Sequence, residues 1–169
     1  MSYIVFDKVV KRYKDKLAVD SVTLSISKGR IFGLLGPNGA GKSTLISMLC
    51  GILPLTAGNI NVDGHSVGQN PLAVKKKLGY VPQEIALFED LSIEDNLNYF
   101  ARMYRLDKQG REASVKKYLD VLGLSNRKSD KVRELSGGLK RRANIGCALL
   151  HNPELLIMDE PTVGIDPQS

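Results

Sequence analysis

The stretch that decides the fold is Gly36-Pro37-Asn38-Gly39-Ala40-Gly41-Lys42-Ser43, which fits the pattern G-x-x-x-x-G-K-[ST]. The apolar run 31–35 before it predicts a buried strand, and a helix is predicted from about Lys42 to Leu49. Strand, glycine loop and helix in this order are typical of a phosphate-binding site, because loop N–H groups and a helix N-terminus surround the phosphate oxygens. The alternative, a chance glycine-rich turn, does not explain the strand and helix on either side.

The residues of this loop have separate expected tasks. Side chains at the three glycines would block the approach of the backbone to phosphate. Lys42 adds a mobile positive charge for the β- and γ-phosphates, and Ser43 offers a hydroxyl to Mg²⁺. The expected nucleotide contacts are Gly36, Pro37, Asn38, Gly39, Ala40, Gly41, Lys42, Ser43 and Thr44.

A second candidate motif is an apolar strand that ends in two acids, Leu155-Leu156-Ile157-Met158-Asp159-Glu160. The strand is apolar on both faces, as expected in a covered parallel sheet. Asp159 is placed to hold Mg²⁺ at the strand's carboxyl end, and Glu160 to orient or deprotonate an attacking water. An acidic strand end is the structural alternative, and the phosphate loop favours the functional one.

A third candidate motif is Leu135-Ser136-Gly137-Gly138-Leu139. Ser136 is suited to start a helix, and the two glycines leave its first N–H groups exposed, which makes a second anion site. Two phosphate-binding ends in one chain suggest that two chains sandwich each nucleotide. An ordinary capped helix explains the residues equally well, so the residues alone leave both interpretations open.

Composition limits the class of protein. The chain has 169 residues and a net charge of +6, and its apolar runs are too short to cross a bilayer. The N-terminus lacks the basic and apolar segments of a signal peptide, so we expect a cytoplasmic protein. The positive charge suits polyphosphate, a membrane surface or nucleic acid, but no aromatic residues interleave with the basic clusters, and no nucleic acid is expected. Cys50 and Cys147 are interpreted as small buried residues.

Hydrophobic patterning gives the organisation. Strands are predicted at 3–10, 19–27, 59–62 and 78–81, and a turn-rich segment at 64–71. Three helices are predicted: one that begins at Ser92, a second that stops at Gly123, and a third that runs from near Leu139 to before Pro153. The predicted plan is an α/β core, 1–84 and 149–169, with an inserted helical subdomain, 85–148.

These motifs together resemble the ATP-binding cassette (ABC) ATPases over essentially the whole chain. The phosphate loop is similar to their Walker A motif, and 155–160 to their Walker B motif. Ser136-Gly137-Gly138 is similar to their signature motif, which other P-loop enzymes lack, although Leu139 stands where the family has Gln. The resemblance implies a P-loop NTPase (RecA-like) core with an N-terminal antiparallel β region and an inserted helical subdomain.

Three further residues match family positions individually. Gln83 resembles the Q-loop glutamine, which touches Mg²⁺ or water and senses the transport partner; a polar loop residue is the alternative. Tyr13 resembles the aromatic that stacks on adenine. Asp166 resembles the D-loop aspartate at the dimer interface, although an aspartate before proline is also typical of a turn.

The resemblance also implies a switch histidine on a strand after Asp166. The sequence ends at Ser169, and neither His65 nor His151 matches that position. We therefore expect a chain truncated before the histidine, which binds ATP and Mg²⁺ but is impaired in turnover.

The run 135–166 is most similar to ATP-binding subunits of bacterial drug and antibiotic exporters. The implied partners are a second nucleotide-binding subunit and a separate integral membrane permease, with the chain peripheral at the inner face of the cell membrane. Ile85, Leu87 and Phe88 are candidates for the docking surface, or equally for the core of the helical subdomain. A soluble ABC ATPase acting on ribosomes or nucleic acid, or a binding module without activity, are the alternatives.

The implied reaction is hydrolysis of ATP by in-line attack of water on the γ-phosphate. Lys42 and Mg²⁺, with Ser43, Gln83 and Asp159 as metal ligands, take up the negative charge. Glu160 orients the water, and Ser136, Gly137 and Gly138 of a second chain complete the nucleotide site.

Overall fold

The computed structural model describes residues 2–160, which divide into two units between Leu78 and Gly79. The subdomain boundaries inferred from the sequence, 1–84 with 149–169 and 85–148, stay a prediction. The helices and strands are, in chain order, β1 (Ser2–Tyr13), β2 (Lys16–Ser27), α1 (Lys42–Leu49), β3 (Ala57–Val62), β4 (His65–Ser66), α2 (Pro71–Lys77), β5 (Leu78–Val81), α3 (Ile93–Met103), α4 (Lys108–Val121), α5 (Gly137–Leu149) and β6 (Leu155–Met158). Two short 3₁₀ helices lie at Ser125–Arg127 and Val132–Glu134.

Unit one is built on an antiparallel sheet with the strand order β2-β1-β3-β4. In β1 the apolar side chains of Ile4, Phe6 and Val9 are buried, and Ile60 and Val62 of β3 are buried with them. This arrangement confirms the antiparallel region that the sequence predicts. The strands β1, β2 and β3 each extend beyond their predicted bounds. Burial of a strand face in this way supplies most of the stability of a sheet.

The helices of unit one follow the sequence in part. Helix α1 has the predicted bounds, and its buried residues are Leu45, Met48 and Leu49. Helix α2 was missed, because Val74 is its one buried residue and three lysines fill its last turn. Pro71 at its first turn is the signal that identifies its start, since proline is tolerated there.

The buried strand predicted at 31–35 is wrong. Ile31 is fully exposed, Leu35 is 92% exposed, and the run has no strand structure. A core strand needs a hydrogen-bonded neighbour and cover on both faces. Within residues 2–160, no strand is paired with this run, so most of its apolar side chains stay exposed.

Unit two contains the three longer helices and their common core. Ser92 caps α3 by accepting a hydrogen bond from the Asp95 N–H at 3.0 Å, as the sequence predicts. Ile93, Leu97 and Ala101 lie on the buried face of α3. The helices α4 and α5 complete the core, whose buried residues are Ile93, Leu97, Ala101, Val115, Tyr118, Leu119, Leu124, Val132, Leu135, Ala143, Cys147 and Leu150.

The strands β5 and β6 form a separate two-stranded sheet. Both strands were predicted, but the expectation that β6 is covered on both faces is wrong, because Met158 is exposed. The Asp159 N–H continues the pairing beyond β6 by donating to the Val81 carbonyl at 3.0 Å. The ends of the two strands, and the residues that follow them, are therefore adjacent.

None of the helices within residues 2–160 is long and apolar enough to span a membrane.

Candidate functional site

The glycine loop before α1 makes close contact with β2. Gly41 has a φ of 88°, and a Cβ added to it would lie 2.4 Å from the Ala18 carbonyl oxygen. Gly39 also has a left-handed φ, 81°, although a Cβ there would meet nothing within 4 Å. Glycine is required at Gly41 by both conformation and space, and at Gly39 by conformation alone.

Lys42 lies back across its own loop. Its ammonium Nζ donates to the carbonyl oxygens of Gly36 at 2.8 Å and Pro37 at 3.0 Å. Helix α1 begins at this lysine, and it has neither a side-chain cap nor an acidic residue in its first turn. The first N–H groups of a helix have no acceptor within it, so the loop combines exposed donors, a helix N-terminus and a cation. These groups fit the phosphates of a nucleotide.

Ser43 and Thr44 lie in the first turn of α1, directly after the loop. Tyr13 lies at the end of β1 and is 45% exposed, with the Lys11 Nζ 5.1 Å from the centre of its ring. The ring is therefore accessible to a flat ligand, and a cation already lies near it.

Ser136, Gly137 and Gly138 start α5, as the sequence predicts. Ser136 is the N-cap, and its side chain accepts from the Leu139 N–H at 3.4 Å. Ser136 and Gly137 are exposed, and a Cβ at Gly138 would meet nothing within 4 Å. The helix N-terminus is therefore open to solvent.

The two acids after β6 have different environments. Asp159 is buried, whereas Glu160 is partly exposed. Glu160 has a φ of 46°, which places a non-glycine residue in the left-handed region at a cost of about 1–2 kcal/mol. A conformation of this kind persists where the surrounding structure holds it.

A buried arginine, Arg141 of α5, holds the residues around these acids. It is 3% exposed. Its Nη1 donates to the carbonyl oxygens of Pro82 at 2.6 Å and Gln83 at 3.1 Å. Its Nη2 donates to those of Asp159 at 3.2 Å and Glu160 at 3.3 Å. Unit two thus brings Gln83, Asp159 and Glu160 together through one guanidinium.

Two buried asparagines hold the segment that follows Gln83. The Asn144 Oδ1 of α5 accepts from the Ala86 N–H at 3.3 Å. The Asn96 Oδ1 of α3 accepts from the Phe88 N–H at 2.8 Å, and its Nδ2 donates to the Phe88 carbonyl at 3.0 Å. The backbone of 82–88 is fixed by side chains, although it forms neither helix nor strand.

Comparison with known proteins identifies the family. A family model described as ABC transporter matches residues 19–163. The chain belongs to the ABC transporter family.

Relatives of this ABC protein have narrower names. It is 50% identical over 163 residues to the linearmycin resistance ATP-binding protein LnrL of Bacillus subtilis, covering 96% of this chain and 52% of the relative. It is 44% identical over 166 residues to the Nod factor export ATP-binding protein I of Burkholderia thailandensis, covering 98% and 55%. The chain therefore spans about half the length of the curated relatives that it matches.

A solved structure confirms the predicted fold class. The structure of cbiO1 from Clostridium perfringens, described as part of the ABC transporter complex cbiONQ, matches with a TM-score of 0.88 and 28% identity. The match covers 99% of this chain and 68% of that one. The fold is that of the P-loop NTPases of this family. Asp166, the candidate D-loop residue of the ABC motif set, lies outside the described residues.

An aromatic patch lies on the surface of unit two, and we define it as Phe88, Tyr99 and Phe100. The Phe88 and Tyr99 rings meet edge to face at 4.8 Å, and the Tyr99 and Phe100 rings at 5.5 Å. Phe88, Tyr99 and the nearby Ile85 are exposed, whereas Leu87 packs against the core of unit two. Ile85 and Phe88 therefore fit the interpretation of this run as a docking surface, and Leu87 fits its interpretation as part of the helical core.

Cys50 and Cys147 are both buried, which confirms their interpretation as small core residues. Burial raises the pKa of the Cys147 thiol to about 12. Burial, and then the charge of Cys147, raise the pKa of the Tyr104 hydroxyl above its usual value. Neither group has the lowered pKa of a nucleophile.

Arg141, Asn144 and Asn96 are the site residues that sequence reasoning missed. The signal was periodicity, because Arg141, Asn144 and the buried Ala148 follow the i, i+3, i+7 spacing of one helical face. A polar residue on the buried face of a helix usually has hydrogen-bond partners, and here these are backbone groups of the segments after β5 and β6. Within residues 2–160, Arg141 Nε and Asn144 Nδ2 are buried without a partner.

Proposed function

We propose that this chain is the ATP-binding and ATP-hydrolysing subunit of an ABC export transporter, which couples hydrolysis to transport through a separate permease. The observation that carries the proposal is the Walker A loop. The Lys42 Nζ donates to the Gly36 carbonyl oxygen across this loop, and at Gly41 only glycine fits both the backbone conformation and the available space. The names of the relatives, resistance and export ATP-binding proteins, support the export direction.

The Walker A loop of unit one binds the phosphates of ATP in this proposal. Amides of the loop and of the first turn of α1, through Thr44, donate to phosphate oxygens, and the Lys42 ammonium moves from its loop carbonyls to the β- and γ-phosphates. Tyr13 stacks on the adenine, because its ring is exposed at the end of β1.

Ser43, Gln83 and Asp159 are the proposed ligands of Mg²⁺, which supplies neutralisation of the charge that develops on the phosphates. Glu160 orients the attacking water and accepts its proton. Hydrolysis therefore needs a carboxylate at Glu160 that can accept a proton, and not only a negative charge there.

The signature residues Ser136, Gly137 and Gly138 are proposed to act on the nucleotide of a second subunit. They form a helix N-terminus with open space around it, which favours an anion from another molecule. A dimer of nucleotide-binding subunits is therefore part of the proposal.

The permease is proposed to dock on the aromatic patch and Ile85. Exposed rings adjacent to a loop fixed by Asn96 and Asn144 offer a rigid apolar surface for a helix. Docking there places the chain in the cytoplasm, peripheral at the inner face of the cell membrane.

The proposal is tested by two measurements on the full-length protein produced with its neighbouring membrane proteins. We expect magnesium-dependent ATP hydrolysis, and co-purification of an integral membrane protein that is lost in Phe88→Asp. Val121→Asp, at an exposed apolar position of α4, is the charge-matched control. Co-purification with ribosomes or nucleic acid instead would favour the soluble ABC alternative.

Poor turnover by the 169-residue chain alone stays a prediction. Comparison of its ATPase rate with that of the full-length protein tests it.

A further inference from the structure

Each terminal nitrogen of Arg141 serves one segment of unit two. Nη1 donates to the segment after β5, at Pro82 and Gln83, and Nη2 to the segment after β6, at Asp159 and Glu160. A guanidinium that is 3% exposed requires such acceptors, since burying an unpaired cation is costly. The four carbonyl oxygens supply them for Nη1 and Nη2, whereas the buried Nε has no hydrogen-bond partner within residues 2–160.

The two hydrogen bonds from Nη2 hold the backbone on both sides of Glu160, the residue with the strained φ. The carbonyl oxygens of Asp159 and Glu160 belong to the peptide units on either side of the Glu160 Cα. Fixing both peptide units fixes the φ and ψ of Glu160, whose φ of 46° is otherwise unfavourable. Without these two bonds, the backbone of Glu160 is expected to relax, and its carboxylate direction to change with it.

We propose that Arg141 is a positioning residue that fixes the backbones of Gln83 and Glu160 in one geometry and ties both to α5, the helix that begins with the signature residues. The inference rests on the proposed function, because it assigns the purpose of that geometry to ATP hydrolysis. Arg141 acts through the backbone of Gln83 and Glu160 and has no contact with substrate of its own.

The proposal explains the choice of arginine. A lysine offers one nitrogen, which reaches one of the two segments, whereas the planar fork of a guanidinium reaches both at once. Arg142 is the matched control, because it is the next residue of the same helix, is exposed, and donates only to the Leu122 carbonyl at 3.3 Å.

The test compares wild type, Arg141→Ala, Arg141→Lys and Arg142→Ala in the full-length protein. We expect Arg141→Ala to lose amide-exchange protection in peptides covering 82–88 and 157–160 together, by about tenfold or more, and Arg141→Lys to lose it in at least one of the two. We expect kcat for ATP to fall about 100-fold with KM within about twofold, because misplaced groups reduce the chemical step more than binding. Arg142→Ala is expected to match wild type in both measurements.

Three outcomes would overturn the proposal: protection lost in only one of the two segments of Arg141→Ala, kcat within about twofold of wild type, or kcat and KM changing in parallel with a general loss of stability. If Arg141→Ala does not fold, Arg141→Lys decides: full protection of both segments would overturn the proposal, as would either of the two kinetic outcomes. A wild-type protein without ATPase activity would contradict the proposed function, while the exchange measurement would still decide whether Arg141 holds the two segments.

Discussion

Asn96 of α3 holds both backbone polar groups of Phe88, accepting from its N–H at 2.8 Å and donating to its carbonyl at 3.0 Å. Its Nδ2 also donates to the Ser92 carbonyl at 2.9 Å, and the side chain is completely buried. A single amide thereby fixes an irregular loop to a helix, and the exposed Phe88 ring is presented by a rigid backbone.

Asn96→Asp is expected to lower the free energy of unfolding by about 2–4 kcal/mol, because it replaces two donated hydrogen bonds by contacts between a carboxylate and carbonyl oxygens. Urea unfolding measures the change. Asn98→Asp on the same helix is the control, since the Asn98 Nδ2 donates only to the Glu94 carbonyl, and its cost is expected to stay below about 1 kcal/mol. Equal costs in the two variants would contradict the assignment.

Gly41→Ala is expected to destabilise the protein by about 1–3 kcal/mol and to weaken nucleotide binding, because the new Cβ would lie 2.4 Å from the Ala18 carbonyl oxygen at a φ of 88°. Thermal unfolding and nucleotide titration measure the two effects. Gly68→Ala is the matched control, since a Cβ there meets only the Ser66 Oγ, at 4.0 Å. The account of the loop fails if the two variants behave alike.

Glu160→Gln is expected to reduce ATP hydrolysis in the full-length protein by about 10²–10⁴-fold while ATP binding is retained, since the amide cannot accept a proton from water. The measurement is the steady-state ATPase rate beside nucleotide affinity. Glu154→Gln, at an exposed position before β6, serves as the control and is expected to hydrolyse at the wild-type rate. Normal turnover by Glu160→Gln would remove Glu160 from the mechanism.

Cys147 is expected to make stability fall at high pH. Its thiol pKa is about 12 in the folded chain against 9.0 as the ordinary value. Above pH 9 the unfolded chain releases the proton while the folded chain keeps it, so stability present below pH 9 is lost as pH rises toward 12. The loss is at most about 1.4 kcal/mol per pH unit. Urea unfolding of wild type and Cys147→Ala between pH 8 and 10.5 measures it, and identical pH slopes would contradict the burial argument.

The sequence predicted the parts of the fold that local patterns encode. The Ser92 and Ser136 caps, the α1 bounds and the β5 and β6 strands all follow from periodicity and capping. The 31–35 run was mispredicted, because its strand pattern was correct in composition but a strand also needs paired neighbours, which a local window does not contain.

The candidate site shows the same division. The glycine loop and the signature start were predicted residue by residue, because their chemistry depends on residue type at fixed spacing. The Arg141 contacts were missed, because its four acceptors lie 18 to 59 positions away in the sequence. Long-range pairing of a side chain with backbone carbonyls leaves no pattern of residue types at the acceptor positions.

The central claim is that the loop before Lys42 binds the phosphates of ATP together with Mg²⁺. Calorimetric titration of folded wild-type and Lys42→Ala protein with ATP, each with and without Mg²⁺, tests it most directly. The account predicts magnesium-dependent binding by wild type and a loss of affinity of at least about tenfold in Lys42→Ala, since a charge-assisted phosphate contact is removed. The absence of ATP binding by folded wild-type protein, or an unchanged affinity in Lys42→Ala, would contradict it.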